Sequence, residues 1–543
     1  MIKQFTSQVL RYFHTLRHLK PGQTAGRLWA MVKLRMGTPA LPSPPISLQG
    51  KLHAKIAFCE HDPWNTRADI LKGKFCFLHQ IESLGKSIDW HPRQKPLLWQ
   101  FNLHYFQYLF LLKPDEQTCI CKAWIADNPP ADPVSWHPFP LSLRIIQWCK
   151  AGVNDGEIQK SLYQQTAYLF RNMETYHPGN HLLENARALI FAGCFFKDYG
   201  EAHRWIEKGV SIYMKETPLQ ILKDGGHFER SPMYHSLMLE GYLDILNILP
   251  DSFNTRTILM DAAQKMSDFL RSMTHPDESI VLFNDSTREI AAHPQVLLAY
   301  AKKLLNQEPQ QKTVFPDSGY YIHSTPALFC VIDGGVIGPD FLPAHSHADI
   351  FSYELSIHKL LFVVDSGVYE YPSGKMRDYV RSTRAHNTVC VDGTDQAECW
   401  KSFRVARRFR PYDISFLAEG TSSRFEGFFN GYAKMLGDDI LHQRSIRIEA
   451  ERKSIQVEDL ISGKGLHLSE SLIHLHPEVS MEIKNNKAYL RRNSVEAVFT
   501  AHQGLLSFED GWYCPEFGLK QKNKVLIVAA HSLPANLSYT LTY

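Results

Sequence analysis

Residues 342–367 read Leu-Pro-Ala-His-Ser-His-Ala-Asp-Ile-Phe-Ser-Tyr-Glu-Leu-Ser-Ile-His-Lys-Leu-Leu-Phe-Val-Val-Asp-Ser-Gly, and the reading of this stretch decides the architecture. From Ser352 to Val364 large apolar residues first alternate with smaller or polar ones and then run together, the pattern of strands in a buried sheet. The same stretch carries His345, His347 and Asp365, and His386 follows in Arg384-Ala-His386-Asn-Thr-Val389. A histidine two residues from another projects to the same side of an extended backbone, and Asp365 and His386 lie on later segments that a sheet brings alongside. Asp365 follows the apolar run Leu360–Val364, so a buried carboxylate there needs a partner or a metal. Two imidazoles and one carboxylate suit Zn2+. The competing reading, hydrogen-bonded histidines at strand ends in a chain with 26 of them, is weakened by this strand context.

Working outward, the chain changes character near Pro316. Before it, apolar positions recur every three or four residues over 161–176, 182–196, 234–249 and 256–273, the spacing of amphipathic helices joined by short loops. That periodicity fits a bundle, a solenoid or a toroid of paired helices. After it come β-branched and alternating runs at 327–332, 388–391, 445–457, 466–475 and 525–529, which predict an antiparallel β-sandwich. The expected organisation is a basic arm and Pro-rich linker over 1–45, a helical domain over 46–315 and a β-sandwich over 316–543.

A chain of 543 residues is long enough for two or three cores. Its net charge of +3 is unevenly distributed: residues 1–59 hold five Lys, four Arg and no acid, so the remainder carries −6. Residues 5–36 predict basic amphipathic helices broken at Pro21-Gly22, suited either to an anionic membrane surface or to packing on the protein's own body. No run of about 18 apolar residues and no secretory apolar segment occurs. The expectation is a cytoplasmic protein with possible membrane association, the periplasm being the alternative. Ten cysteines spread singly resemble neither a disulfide framework nor a cysteine zinc module. No nucleic-acid partner is expected, and the oligomeric state is not legible.

Three polar clusters punctuate the helical part. Gly179-Asn180-His181-Leu-Leu-Glu184-Asn185 opens a helix, with His181 and Glu184 one turn apart; ordinary capping is the alternative reading. The run Asp224–His235 packs two acids, two His, an Arg and a Tyr into twelve residues, and Asn284-Asp285-Ser286 forms a third loop. In paired-helix architectures such loops converge on one cleft. The chemistry they suggest is β-elimination beside a carboxylate, which requires donors to neutralise the carboxylate, a base for the α-proton and an acid for the departing oxygen. Asn180 and His181 suit the first task, Tyr234 an acid or base, and His345 the opposite partner.

With Trp99–Tyr105, Trp136–Arg144, Gly179–Asn185, Asp224–Tyr234, His345–Asp349, Asp365–Gly367 and Arg381–Thr388, the chain resembles the heparinase II/III-like polysaccharide lyases, a superfamily that includes related alginate lyases. The resemblance implies an incomplete (α/α) toroid followed by an antiparallel β-sandwich, with an anionic uronate-containing polysaccharide in the cleft between them. It makes Asn180 and His181 carboxylate neutralisers, Tyr234 the acid or acid/base and His345 a base or stabiliser. The resemblance implies a second active-site tyrosine, for which Tyr379 and Tyr371 are both candidates. It makes His347, Asp365 and His386 ligands of one zinc ion that organises the site, and Glu184, Arg230, Trp136 and Arg384 candidate substrate contacts. The opening resembles members associated with bacterial surface-polysaccharide production. Competing readings are a glycoside hydrolase using two of Glu184, Glu229 and Asp285, a non-catalytic glycan-binding protein, and a hydrolase with catalytic zinc.

Overall fold

The computed structural model describes residues 2–35, 41–45 and 48–543. Part of the Pro-rich linker expected at 39–45 lies outside them, and residues 41–45 have no regular structure.

Two helices, Ile2–Leu16 and Pro21–Arg35, form the arm. The helical domain then runs from Leu97–Tyr105 through Pro114–Asp127, Pro138–Ala151, Gly156–Arg171, Asn180–Phe195, Gly200–Gln220, Pro232–Ile248 and Arg256–Ser272 to Pro294–Leu305. Helices touch the next but one as well as the next, which divides them into an inner and an outer row. Burial follows that division. Fourteen of the 16 residues of Asn180–Phe195 are buried, but only nine of the 21 in Gly200–Gln220. An inner helix must therefore be apolar almost all round, whereas an outer one needs a single stripe. The row closes tightly where glycines face backbone: a Cβ on Gly209 would stand 2.7 Å from the Ala186 carbonyl oxygen.

The second half is antiparallel throughout. A five-stranded sheet runs in chain order from Val314–Phe315 through Tyr320–Ser324, Leu328–Asp333 and Tyr353–Ile357 to Leu360–Val363. An eight-stranded sheet has Ser454–Gly465 and Leu533–Thr542 at its centre, and a four-stranded sheet contains Ser469–His474. Every residue of Leu328–Asp333 is buried because both of its faces are covered. Leu328, Cys330 and Ile332 pack with Ile446, Ile448 and Val457 of the large sheet, while Phe329 and Val331 meet Phe269, Met273 and Phe283 from the helical side. The large sheet is solvated on its far face and alternates accordingly. The predicted run 352–364 is a hairpin, but residues 345–349 form no strand.

This layering brings the loops at one end of the inner helices against the loops of the five-stranded sheet. Gly209→Val would force a side chain into backbone, and a loss of about 1–3 kcal/mol of stability is expected by urea denaturation.

Candidate active site

Where the two halves meet, Asp285 gathers the site. Its carboxylate accepts from both Nη1 and Nη2 of Arg377, with Nη2 at 2.8 Å, from His345 Nδ1 at 3.0 Å and from His347 Nε2 at 2.8 Å. All of Asp285, Arg377 and His347 are buried. Burial opposes ionisation of Asp285, but the Arg377 guanidinium and the donated hydrogen bonds hold its pKa well below the usual carboxylate range. An ionised carboxylate only accepts, so His345 carries its proton on Nδ1 and turns Nε2 toward Glu229. Next to Asp285, Asn284 adopts left-handed backbone (φ 58°), accepts from the His347 amide at 3.0 Å and donates to the Arg230 carbonyl at 3.1 Å. Asparagine tolerates that conformation better than most residues.

Tyr234 projects from the first turn of Pro232–Ile248, whose Ser231 cap accepts from the Tyr234 amide at 3.2 Å. Its ring stacks on His345 with centroids 3.9 Å apart, and its hydroxyl lies 2.9 Å from that of Tyr371. Burial raises the pKa of both phenols, so both are neutral proton donors near pH 7.

Across from this pair, Asn180 and His181 open their helix. The Asn180 backbone N–H donates to Glu229 Oε1 at 3.3 Å, and Glu229 Oε2 stands 3.3 Å from His345 Nε2. Burial raises the Glu229 pKa. Gly179 precedes them at φ 131°, where a Cβ would stand 2.8 Å from Glu229 Oε1, so this approach requires glycine. His181 Nδ1 lies 3.1 Å from Glu174 Oε1, and its ring is stacked between Phe139 and His177. Burial pulls the His181 pKa down, but the Glu174 carboxylate outweighs it and the pKa is raised.

Beneath His345, three buried atoms lack hydrogen-bond partners: His347 Nδ1, Asp349 Oδ2 and His386 Nε2. Donor atoms of these residues lie within 4.8 Å of one another. Each imidazole spends its other nitrogen on a carboxylate, His347 on Asp285 and His386 on Asp365 at 2.7 Å, which aims a lone pair inward. That donor set fits Zn2+. Of the expected trio, His347 and His386 lie in this cluster together with Asp349, while the Asp365 carboxylate lies on the Nδ1 side of His386. The argument from alternating strand positions fails here because residues 345–349 are a turn-rich loop.

Five further candidates have partners elsewhere in the fold. Tyr379 is not in the cleft: its hydroxyl accepts from the Trp512 amide at 3.2 Å within the β-domain, and Tyr371 is the second site tyrosine. Trp136 is a core residue, its indole NH donating to the Asn128 carbonyl at 3.1 Å. Arg384 is engaged by Glu470 and Glu509, each with an oxygen 2.7 Å away. Arg230 clamps the Asp317 and Ser318 carbonyls, tying the two halves together. Glu184 is buried against Arg187, in a charge network with Glu240, Asp244 and Lys150 under the cleft floor. Each of these side chains already has its hydrogen-bonding or ionic partner inside the fold. Glu174, Glu229, Asp285, Tyr371 and Arg377 complete the site; three lie in or beside the quoted polar clusters, but their partners are distant in sequence.

With that geometry in place, comparison with known proteins adds a lineage. Residues 157–315 match the family described as heparinase II/III N-terminus, and residues 307–540 that described as heparinase II/III-like, C-terminal. This chain belongs to the heparinase II/III family. It is 28% identical over 252 residues to a heparin-sulfate lyase of Bacteroides stercoris, covering 40% of this chain and 37% of that protein. It is 25% identical over 382 residues to a heparin-sulfate lyase of Bacteroides thetaiotaomicron, covering 56% and 53% respectively. The chain thus aligns with about half or less of the length of these relatives. A solved heparinase III superposes with a TM-score of 0.66 at 18% identity, covering 97% of this chain and 92% of that one. The heparan sulfate lyase HepC of Pedobacter heparinus gives 0.57 at 18% identity, covering 88% and 82%. These superpositions show a shared fold.

Asp285→Asn leaves the buried Arg377 charge unpaired, and a loss of about 3–5 kcal/mol in urea denaturation is expected, together with loss of any activity that depends on His345.

Proposed function

We propose that this protein cleaves a uronate-containing polysaccharide by β-elimination. The observation that carries the reading is the stacked Tyr234–His345 pair, braced by Tyr371 and Asp285 and faced by Asn180 and His181. The relatives' designation as heparin-sulfate lyases supports an anionic polymer of that kind as substrate.

The uronate carboxylate is placed at Asn180 and His181, whose amide and imidazolium withdraw charge and make the C5 proton acidic. His345 Nε2 takes that proton, and Asp285 stabilises the imidazolium that forms. The electron pair of the C5–H bond becomes the C4–C5 double bond, and the C4–O bond breaks. Tyr234 gives its proton to the departing oxygen, a role suited to a phenol that burial keeps neutral. Tyr371 holds that hydroxyl in place.

The three unpartnered donors support one zinc ion held by His347, Asp349 and His386, with Asp365 and Asp285 orienting the imidazoles. When bound, it supplies cross-linking of the loops around His345.

Incubation with heparan sulfate, chondroitin, hyaluronan, alginate, glucuronan and bacterial exopolysaccharides should produce the ultraviolet absorbance of an unsaturated uronate on at least one of them. Tyr234→Phe should reduce it by about 10²–10⁴-fold. New reducing ends without absorbance would instead identify a hydrolase. The pH profile is a second check. His181 must be protonated to neutralise the carboxylate, so kcat/KM falls as pH rises through its raised pKa. Glu174→Gln lowers that pKa and should move the alkaline limb to lower pH. For the metal, elemental analysis should find one zinc per chain, and its removal by a chelator should lower the melting temperature. Asp349→Asn should reduce zinc content more than Asp365→Asn.

A further inference from the structure

We propose that the basic helical arm of residues 2–35, here called the hairpin for its two successive helices, is a docking surface for an anionic lipid bilayer. One side of the hairpin is fastened to the protein. Trp400 donates from Nε1 to Thr15 Oγ1 at 3.2 Å and packs edge-on against Tyr12, with centroids 4.9 Å apart. Gln23 is buried and donates to the Phe341 carbonyl at 3.2 Å, while Lys20 Nζ sits 3.6 Å above the Phe341 ring. Gly26 lies against Tyr176, where a Cβ would come within 2.3 Å of the tyrosine's own Cβ. The second helix thus bridges the β-domain loop that leads to His345 and the helical-domain loop that leads to His181.

Among the described residues, the apolar side chains of the opposite side are exposed. Val9, Leu10, Phe13 and Leu16 on the first helix, and Leu28, Trp29 and Val32 on the second, are each 45–59% exposed. Their spacing of three and four residues places them along one stripe of each helix, turned away from the docked residues. Exposed apolar side chains scattered singly need no explanation, but a stripe on two successive helices marks an interaction surface.

Charge selects the occupant. Residues 2–35 contain Lys3, Arg11, Arg17, Lys20, Arg27, Lys33 and Arg35 and no acid, whereas the chain beyond residue 59 carries −6. An anionic surface therefore attracts the hairpin and repels the rest, which orients the molecule. An apolar stripe bearing Phe and Trp and flanked by Arg and Lys is the composition of a helix lying in the plane of a bilayer interface. Among the described residues, no helix is long and apolar enough to cross a membrane. A soluble anionic glycan would use the basic groups but not the apolar stripe, and a second copy would bring an equally basic hairpin against the first. Docked in this way, the hairpin sets one edge of the cleft beside the bilayer. The proposal concerns binding and does not depend on the lyase reading.

The test is co-sedimentation of the full chain with vesicles of phosphatidylcholine, with and without phosphatidylglycerol, at low and raised salt. The expected result is binding to the phosphatidylglycerol vesicles that weakens with salt. Phe13→Ser/Trp29→Ser and, separately, Arg17→Glu/Arg27→Glu should each weaken it by at least about tenfold with melting temperature unchanged. If the serine variant unfolds, the arginine variant decides. Four results would overturn the proposal: no sedimentation of the parent chain, sedimentation unaffected by the variants, binding independent of phosphatidylglycerol, or self-association abolished by the serine variant without vesicle binding.

Discussion

One carboxylate organises this molecule. Asp285 comes from a loop of the helical domain, and its partners Arg377, His345 and His347 come from the β-domain. Bringing these groups out of water is costly, and the cost is offset only while all the hydrogen bonds are made together. Closure of the two halves, the tautomer of His345 and the aim of His347 at its donor cluster are therefore consequences of one interaction. Arg230, reaching from the helical side to the Asp317 and Ser318 carbonyls, supports the same junction.

The site divides its charges to match its tasks. At His181, the buried Glu174 carboxylate behind the ring raises the imidazole pKa against the effect of burial. Around His345, burial leaves Tyr234 and Tyr371 neutral while Asp285 stays ionised. Two environments within one cleft push titratable groups apart in the way that acid and base roles require. Two members of the donor cluster, His347 and Asp349, share the loop of His345, so whatever the cluster binds bears on the position of His345.

Much of this was legible in residue patterns. The change from a period near 3.6 to alternation around residue 316 marks the helical and β halves, and Asn180, His181, Tyr234 and His345 stand in segments too polar to serve packing alone. The hairpin's two helices and its charge are also readable. The choice between Tyr371 and Tyr379, eight residues apart, was not, because it depends on which turn of an irregular segment faces Tyr234. Arg230, Arg384, Glu184 and Trp136 look like substrate contacts until their partners are known. Their partners include Ser318, Glu470, Arg187 and Asn128, and for the first two the separation in sequence exceeds 80 residues.

The sequence by itself determined the order of the two architectures, the uneven distribution of charge and the residue types available for proton transfer, because periodicity and composition are local properties. Tertiary structure decided which groups are engaged and which are free. It gave Asp349 rather than Asp365 to the donor cluster, Tyr371 to Tyr234, and Asp285 to four donors at once. Those outcomes depend on distances between segments set by packing, and no local pattern encodes them.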